Sequence, residues 1–367
     1  YDKAVVNEHV FVCRPSPLVE PKFVFRYLMS KEGQEKILEN FQGSAQGGIN
    51  LSFAPNTEAV LAPLNEQRRI VAKLEKLLQK VDACKERLDK IPTILKRFRQ
   101  SVLAAACSGR LTEDWRRDAQ YIKKNNELPA IHHTWCWSNL ANVCDKVIDC
   151  PHSTPKWSET GWLCVRTTNF KPYFLDLTVK HFVGEATFAK RIKRLRPKPG
   201  DILYSREGGI LGVACIIPSG IDLCLGQRMM LFRAGKDYVN MFLMYWLNSP
   251  FILNAVKDLT GGSASPHLNV KDIKKFPIPI PPFNEQNEIV RRVNALFKIA
   301  DRIEERYNKA RTYVDKLTQS ILAKAFRGEL VPQDPNDEPA SELLKRIKEE
   351  KAKTGLKSKT TPRKNRI

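Results

Sequence analysis

The sequence predicts an α+β chain in which two globular modules, the first of them partial, are joined by a pair of long antiparallel coiled-coil helices. Three observations predict it. The same sequence is written twice at a constant spacing of 219 residues. Each copy carries a heptad seam of apolar residues sustained for more than four heptads. Residues 131–280 alternate short apolar runs with Gly, Pro and Ser, the pattern of short strands and turns.

The repeat needs no gap between Phe23 and Leu111. Asn65-Glu66-Gln67 recurs as Asn284-Glu285-Gln286, and Gln100-Ser101-Val102-Leu103-Ala104 as Gln319-Ser320-Ile321-Leu322-Ala323. Gly43-Ser44-Ala45 matches Gly262-Ser263-Ala264, and Tyr27-Leu28 with Ser30 matches Trp246-Leu247 with Ser249. A repeat this long is two whole modules rather than a solenoid of short units. Two copies of one module make a pseudo-twofold molecule, a shape suited to a bipartite partner such as duplex DNA. The second copy begins near Trp135, so the spacing implies that roughly 85 residues of the first module precede Tyr1. Residues 1–62 therefore read as the back half of a domain, with sheet partners for Val5, Val6, Val10, Phe11, Val12 and the Phe23–Leu28 run expected upstream.

The first seam runs Ile70, Leu74, Leu77, Val81, Cys84, Leu88, Ile91, Leu95, Phe98, Val102, on alternating steps of four and three. The second runs Ile289, Val293, Leu296, Ala300, Ile303, Tyr307, Ala310, Val314, Leu317, Ile321 in the same register. Asn65 and Asn284 are expected N-caps, each followed by a Glu suited to a helix start. Gly109 and Gly328 stand where C-terminal caps are expected. Pro92 should kink or restart the first helix. Equal length and matching register favour pairing of the two seams with each other, as a rigid spacer.

Within 131–280, Leu163–Arg166, Asp201–Tyr204 and Val213–Ile217 read as strands, and Met241–Asn248 as a buried helix. Phe276–Phe283 alternates proline with apolar residues, as an edge strand or extended linker does. The chain thus divides into a partial first module (1–62), a central helical spacer (63–115), a linker (116–130), a complete module (131–280), a second helical spacer (281–332), a short helix (333–352) carrying Leu343, Leu344 and Ile347, and a basic tail (353–367) expected to be disordered.

The formal net charge is +21, with a pI of about 9.6. That excess points to a polyanion, nucleic acid before an anionic membrane. No apolar run reaches the ~18 residues of a membrane span. The nine cysteines are scattered, without a C-x-x-C pair, as in a reduced cytoplasmic protein. Cys144, Cys150 and His152 lack a fourth ligand at zinc-finger spacing, and no metal site is expected. No phosphate loop, Rossmann fingerprint, Ser/His/Asp set or carboxylate pair stands out, so no catalytic residue is assigned.

Three segments are candidates to face a polyanion. The polar loop Asp149–Lys156 offers His152, Ser153, Thr154 and Lys156 between two prolines. Lys190–Lys198 packs Lys190, Arg191, Lys193, Arg194, Arg196 and Lys198 into nine residues without an acid, which favours phosphate contact. Gly200–Gly212 holds Ser205 and Arg206 beside a Gly208-Gly209 pair. Glycines there permit close backbone approach, and Arg206 is placed to fork onto a guanine edge or a phosphate. Gln227 and Arg228 are expected nearby.

Together these features resemble the specificity subunit of type I restriction–modification systems, over essentially the whole chain. Pro282–Gln286 leading into Ile289-Val290 is similar to the start of that family's conserved region, with Pro63–Gln67 and Ile70-Val71 as its twin. Ser320–Leu322 through Gly328–Ala340 resembles its C-terminal stretch, the most specific match. Asp149–Pro155 and Gly200–Arg206 resemble recurrent motifs of its target recognition domains. Gly109–Trp115 departs from the pattern, lacking the usual proline-containing continuation. The resemblance implies a non-catalytic reader of double-stranded DNA, with two target recognition domains each contacting half of a split, asymmetric site. It implies that the helices dock two modification (methyltransferase) subunits, with Asn65, Glu66, Gln67, Asn284, Glu285 and Gln286 at the docking ends. Restriction/translocase subunits join the same assembly, and S-adenosylmethionine, ATP and Mg belong to the partners. The rivals are the recognition end of a fused restriction–modification enzyme and a coiled-coil scaffold that binds protein.

Overall fold

A computed structural model describes residues 7, 10–39, 41, 48, 49, 53, 57–125, 127–261 and 266–353. The Gly43–Ala45 and Gly262–Ala264 matches, Val5, Val6 and the tail beyond Lys353 lie outside the described residues. The chain divides into two units, residues 1–91 with 305–367 and residues 92–304.

The repeat is visible in the helices. Pro21–Leu28 and Asn240–Leu247 match residue for residue at the 219-residue spacing. Lys31–Glu39 matches the start of Pro250–Thr260, and the long helices Leu64–Ser108 and Phe283–Phe326 begin at equivalent positions. The equivalence reaches single hydrogen bonds. Gln67 Oε1 accepts from the Glu20 amide at 2.9 Å while its Nε2 donates to Ala62 O at 2.7 Å. Gln286 Oε1 accepts from the Val239 amide at 2.7 Å while its Nε2 donates to Pro281 O at 3.0 Å. Both glutamines are buried, so each amide side chain stitches a helix start to the helix its own module supplies. Gly109 and Gly328 sit in the left-handed region, φ 87° and 76°, as the helix-ending residues the sequence predicts.

In the first unit, Leu64–Ile91 runs antiparallel to Glu305–Phe326. Arg311 pairs with Asp89, and Lys85 Nζ reaches Thr318 Oγ1 at 3.5 Å. Ile70, Val71 and Leu74 pack with Leu322, Ala325 and Phe326. Phe23 and Tyr27 join this cluster, their rings edge-on to Phe326 at 5.2 and 5.3 Å. These two residues of the Phe23–Leu28 run therefore find their partners in the helices rather than in a sheet. Val10, Phe11 and Val12 are exposed. Helix Ala340–Lys353 buries Leu343 completely.

In the second unit, residues 92–108 run antiparallel to 283–304, and Arg99 Nη2 bridges Asp301 (2.7 Å) and Glu304 (2.8 Å). The helix passes through Pro92 without ending, so the restart allowed for there does not occur. Packing of Val81 before it and Leu95 after it outweighs the one lost hydrogen bond. The seams are buried toward the helix ends and open in the middle, where Cys84, Phe98 and Ile303 are exposed. Asn65 and Asn284 lie inside the first turn, not at the cap, because the helices start two residues earlier than such caps require and Pro63 O and Pro282 O accept the first bonds.

The module in the second unit is built on a six-stranded sheet in the order 144–149, 229–234, 202–205, 214–216, 173–175, 170–171. A four-stranded sheet follows the order 223–225, 162–165, 182–183, 157–158. Pro277–Ile280 pairs antiparallel with Cys136–Asn139. Helix Asn240–Leu247 buries Phe242 through Leu247 and forms the centre of the main core with Ile202, Tyr204, Met230 and Phe232. Such all-round burial explains why the segment shows no amphipathic stripe.

Candidate nucleic-acid interface

The sheet order assembles the candidate residues. Strands Cys144–Asp149, Met229–Ala234 and Ile202–Ser205 are neighbours, with Asp149 opposite Met230 and Ser205 opposite Met229. The chain leaves the first at Asp149, leaves the third at Ser205 and enters the middle one after Arg228. Three loops therefore meet at one end of the sheet: 149–156, 206–212 and 226–228.

Arg206 is the centre of that meeting and is buried. Its Nε donates to Asp149 Oδ1 at 2.9 Å, Nη2 lies 3.2 Å from Asp149 Oδ2 and 2.8 Å from Glu207 Oε1, and Nη1 donates to Leu268 O at 3.2 Å. His152 Nε2 meets Asp149 Oδ2 from outside at 3.0 Å. The expectation of a free fork at Arg206 is thus corrected: its donors are spent on the protein. Ser205 is also buried, exchanging bonds with the Val213 backbone through its hydroxyl.

Arg191 is corrected in the same way. It lies on the inner face of helix Glu185–Ile192 and donates to Leu225 O at 2.9 Å, Gly226 O at 3.1 Å and Ser153 O. It braces the 149–156 loop from behind. Arg194 Nη1 donates to Asp149 O at 3.1 Å yet stays exposed, and Gln227 Nε2 donates to His152 O at 2.6 Å. Arg196 pairs with Asp222. Arg228 is exposed with φ 67°, and Gly208, at φ 88°, leaves room for its guanidinium. Arg191, Ser205 and Arg206 thus build the loops. His152, Ser153, Thr154, Lys156, Lys190, Lys193, Arg194 and Arg228 are exposed, and Gln227 is half-buried.

Two residues were missed by sequence reasoning. Asp149 is the acid that organises the site, and only its lone charge beside a proline loop hinted at it. Trp157 is exposed directly after Lys156, with Arg166 over its ring at 5.7 Å. The thiols of Cys144 and Cys150 are raised by burial, that of Cys144 to about 12.

The expected docking residues divide. Glu66, Gln67, Glu285 and Gln286 are buried and belong to the helix starts; only Asn65 and Asn284 face outward. Glu285 is held by segment 109–135: Thr112 Oγ1 donates to Oε1 at 2.7 Å, Trp135 Nε1 to Oε2 at 3.0 Å, and Arg116 forms a buried ion pair with it. Arg292 adds Asp114 and Leu111 O from the same segment. Among the described residues no helix is long and apolar enough to cross a membrane.

Residues 168–310 match the family described as the type I restriction modification DNA specificity domain. The chain is 37% identical over 315 residues to the EcoBI specificity subunit of Escherichia coli, covering 81% of this chain but only 65% of that relative. It is 32% identical to the Escherichia coli EcoDI specificity subunit, covering 93% of this chain and 80% of the relative. It is 33% identical to the EcoKI specificity subunit of Escherichia coli strain K12, covering 94% and 75%. In fold it resembles a chain from a structural study of complex assembly and conformational transition in the type I R-M system (TM-score 0.62, 22% identity, 85% of this chain and 72% of that one). It also resembles the HsdS subunit from Thermoanaerobacter tengcongensis (TM-score 0.50, 22% identity, 85% and 71%). Matched at 32–33% identity along 93–94% of its residues to two such relatives, this chain belongs to the family of type I restriction enzyme specificity subunits.

Proposed function

We propose that the chain reads a bipartite, asymmetric site in double-stranded DNA for a type I restriction–modification complex. The observation that carries this reading is the similarity along 94% of the chain to a named specificity subunit. The +21 charge agrees with it, and so does the duplicated module, one copy for each half of a split site. The residue set favoured for DNA is the exposed one: His152, Ser153, Thr154, Lys156, Lys190, Lys193, Arg194, Gln227 and Arg228. Lysines on a flexible stem suit phosphates, while the side chains of the 149–156 loop, braced from below, have the fixed geometry that base reading needs.

The chain itself is non-catalytic in this proposal. Two modification subunits dock on the paired helices and carry S-adenosylmethionine, and a restriction subunit adds ATP and Mg chemistry in the bacterial cytoplasm. Co-expression with type I modification subunits, followed by methylated-site sequencing, tests the proposal. A split motif with a constant gap is the expected product. Methylation without this chain, or a contiguous motif, overturns it.

A further inference from the structure

Asp118, His132 and His133 lie apart from the candidate DNA-facing loops, in the segment 109–135 that spans the linker and the start of the module. Among the described residues they form the one His/Cys/Asp/Glu group whose ligand atoms all fall within 4.8 Å of each other. The backbone brings them together. Tyr121–Ile122 pairs antiparallel with Ile131–His132, Tyr121 opposite His132, and the His133 amide donates to Gln120 O at 2.9 Å. Asp118 thus enters at the neck of a hairpin from which His132 and His133 leave.

The side chains are set as ligands. Asp118 Oδ2 is 3.4 Å from His132 Nε2 and 2.6 Å from His133 Nε2. Its other oxygen, Oδ1, accepts from the Gln120 amide at 3.0 Å and so orients the carboxylate. His132 is fully buried, and its Nε2 has no hydrogen-bond partner. Its Nδ1 sits 2.8 Å from Thr134 Oγ1, with the Thr134 amide directed at it from 3.4 Å, so metal binding through Nε2 selects the tautomer that gives up the longer of these two contacts. With the ring proton on Nδ1, donated to Thr134, the Nε2 lone pair faces the Asp118 carboxylate with nothing to accept. An orphaned buried ring nitrogen costs about 1–3 kcal/mol, and its retention beside two further donors asks for an electrophile. Arg116 stands near, but its charge is matched by Glu285 in the buried pair.

We propose that Asp118, His132 and His133 bind a divalent transition-metal ion of the zinc class, which staples the neck of this hairpin. Metal–ligand bonds of ~2.0–2.1 Å put tetrahedral ligand atoms ~3.3–3.4 Å apart, which is the Asp118–His132 separation. The Asp118–His133 contact must open by roughly 0.7–0.8 Å to reach that separation, and both side chains are about one-third exposed and free to do so. Two imidazoles and one carboxylate suit zinc, nickel or cobalt rather than magnesium or calcium. The exposed side leaves the fourth position to water. A His-His pair fourteen residues beyond an Asp matches no finger spacing, so sequence reasoning passed it over.

The test uses the full chain, stripped with EDTA and titrated with zinc chloride in a calorimeter, with cobalt chloride as a spectroscopic probe. Expected are one ion per chain, a raised melting temperature and a cobalt spectrum free of thiolate charge transfer. His133→Ala and Asp118→Asn, at half-exposed positions, should each weaken zinc at least about tenfold without lowering the metal-free melting temperature appreciably. A Cys13→Ser, Cys84→Ser, Cys136→Ser variant should bind as the parent does. Absence of zinc binding overturns the proposal. So does binding unchanged in both site variants, a thiolate band, or loss of binding in the cysteine variant.

Discussion

The guanidinium of Arg206 forks onto the carboxylate of Asp149, Nε to Oδ1 at 2.9 Å and Nη2 to Oδ2 at 3.2 Å. The pair joins the ends of two strands that are not adjacent, with Met229–Ala234 lying between them. It fixes the loop that carries the outward-facing side chains. Arg206→Ala would leave a largely buried carboxylate without its partner, and should cost on the order of 3 kcal/mol in a urea melt. Arg206→Lys should recover little, because an ammonium cannot form the fork. In a double-mutant cycle with Asp149→Ala the two losses should fall well short of adding. Full stability with lost DNA binding would instead make Arg206 a direct contact.

The basic run from Lys190 contains two kinds of residue. Neutralising Lys190 and Lys193 together should weaken binding to all DNA sequences alike and lower the salt slope by about two, with no change in melting. Arg191→Ala should melt early instead, because three backbone carbonyls lose their donor. Equal effects of the two substitutions in both assays would remove the distinction.

The two capping glycines differ in their surroundings. A Cβ at Gly109 would meet the Trp135 ring at 3.1 Å and the His132 Cβ at 3.2 Å, whereas at Gly328 its nearest neighbour is 3.8 Å away. Both variants suffer the left-handed backbone, about 1–2 kcal/mol. Gly109→Ala should therefore lower the melting temperature more than Gly328→Ala. The reverse order would mean that the crowded cap relaxes at no cost.

Much of this architecture was legible because periodicity survives translation into burial. The 219-residue repeat matched Gln67 to Gln286, and the two make equivalent hydrogen bonds. The seams named Ile70, Leu74, Ile289 and Val293, all buried. What sequence could not show was depth. Arg191 and Lys190 are neighbours of like charge, and only the helix phase against the sheet decides that one is buried and the other wet. Arg206 read as an exposed fork because its partner Asp149 lies 57 residues away, brought close by a strand order that no local pattern encodes. Glu66 and Glu285 read as surface helix-start acids for the same reason.

Acid should weaken the helix start only below about pH 4.5. Arg291 and Arg292 hold Glu288 at a pKa of about 2, below its ordinary 4.5. The folded carboxylate is thus the weaker proton binder, so its contribution is complete above about pH 4.5 and is lost as pH falls toward about 2. Glu288→Gln should be less stable than the parent at neutral pH by a few tenths to about 1 kcal/mol. The gap should close in melts taken toward pH 2. A gap independent of pH would mean that packing, not charge, is lost.

Glu285 gives the second module a welded joint. Thr112, Arg116 and Trp135 all grip one carboxylate on the first turn of Phe283–Phe326, and Arg292 grips Asp114 two turns on. The segment between helix and sheet is therefore no tether. A torque applied along that helix arrives at the module undiminished, since the only route to slack is to pull a desolvated ion pair apart. A ligand that needs the module to swivel on its helix would have to supply that work itself, so shape mismatch at this end is met by bending the ligand.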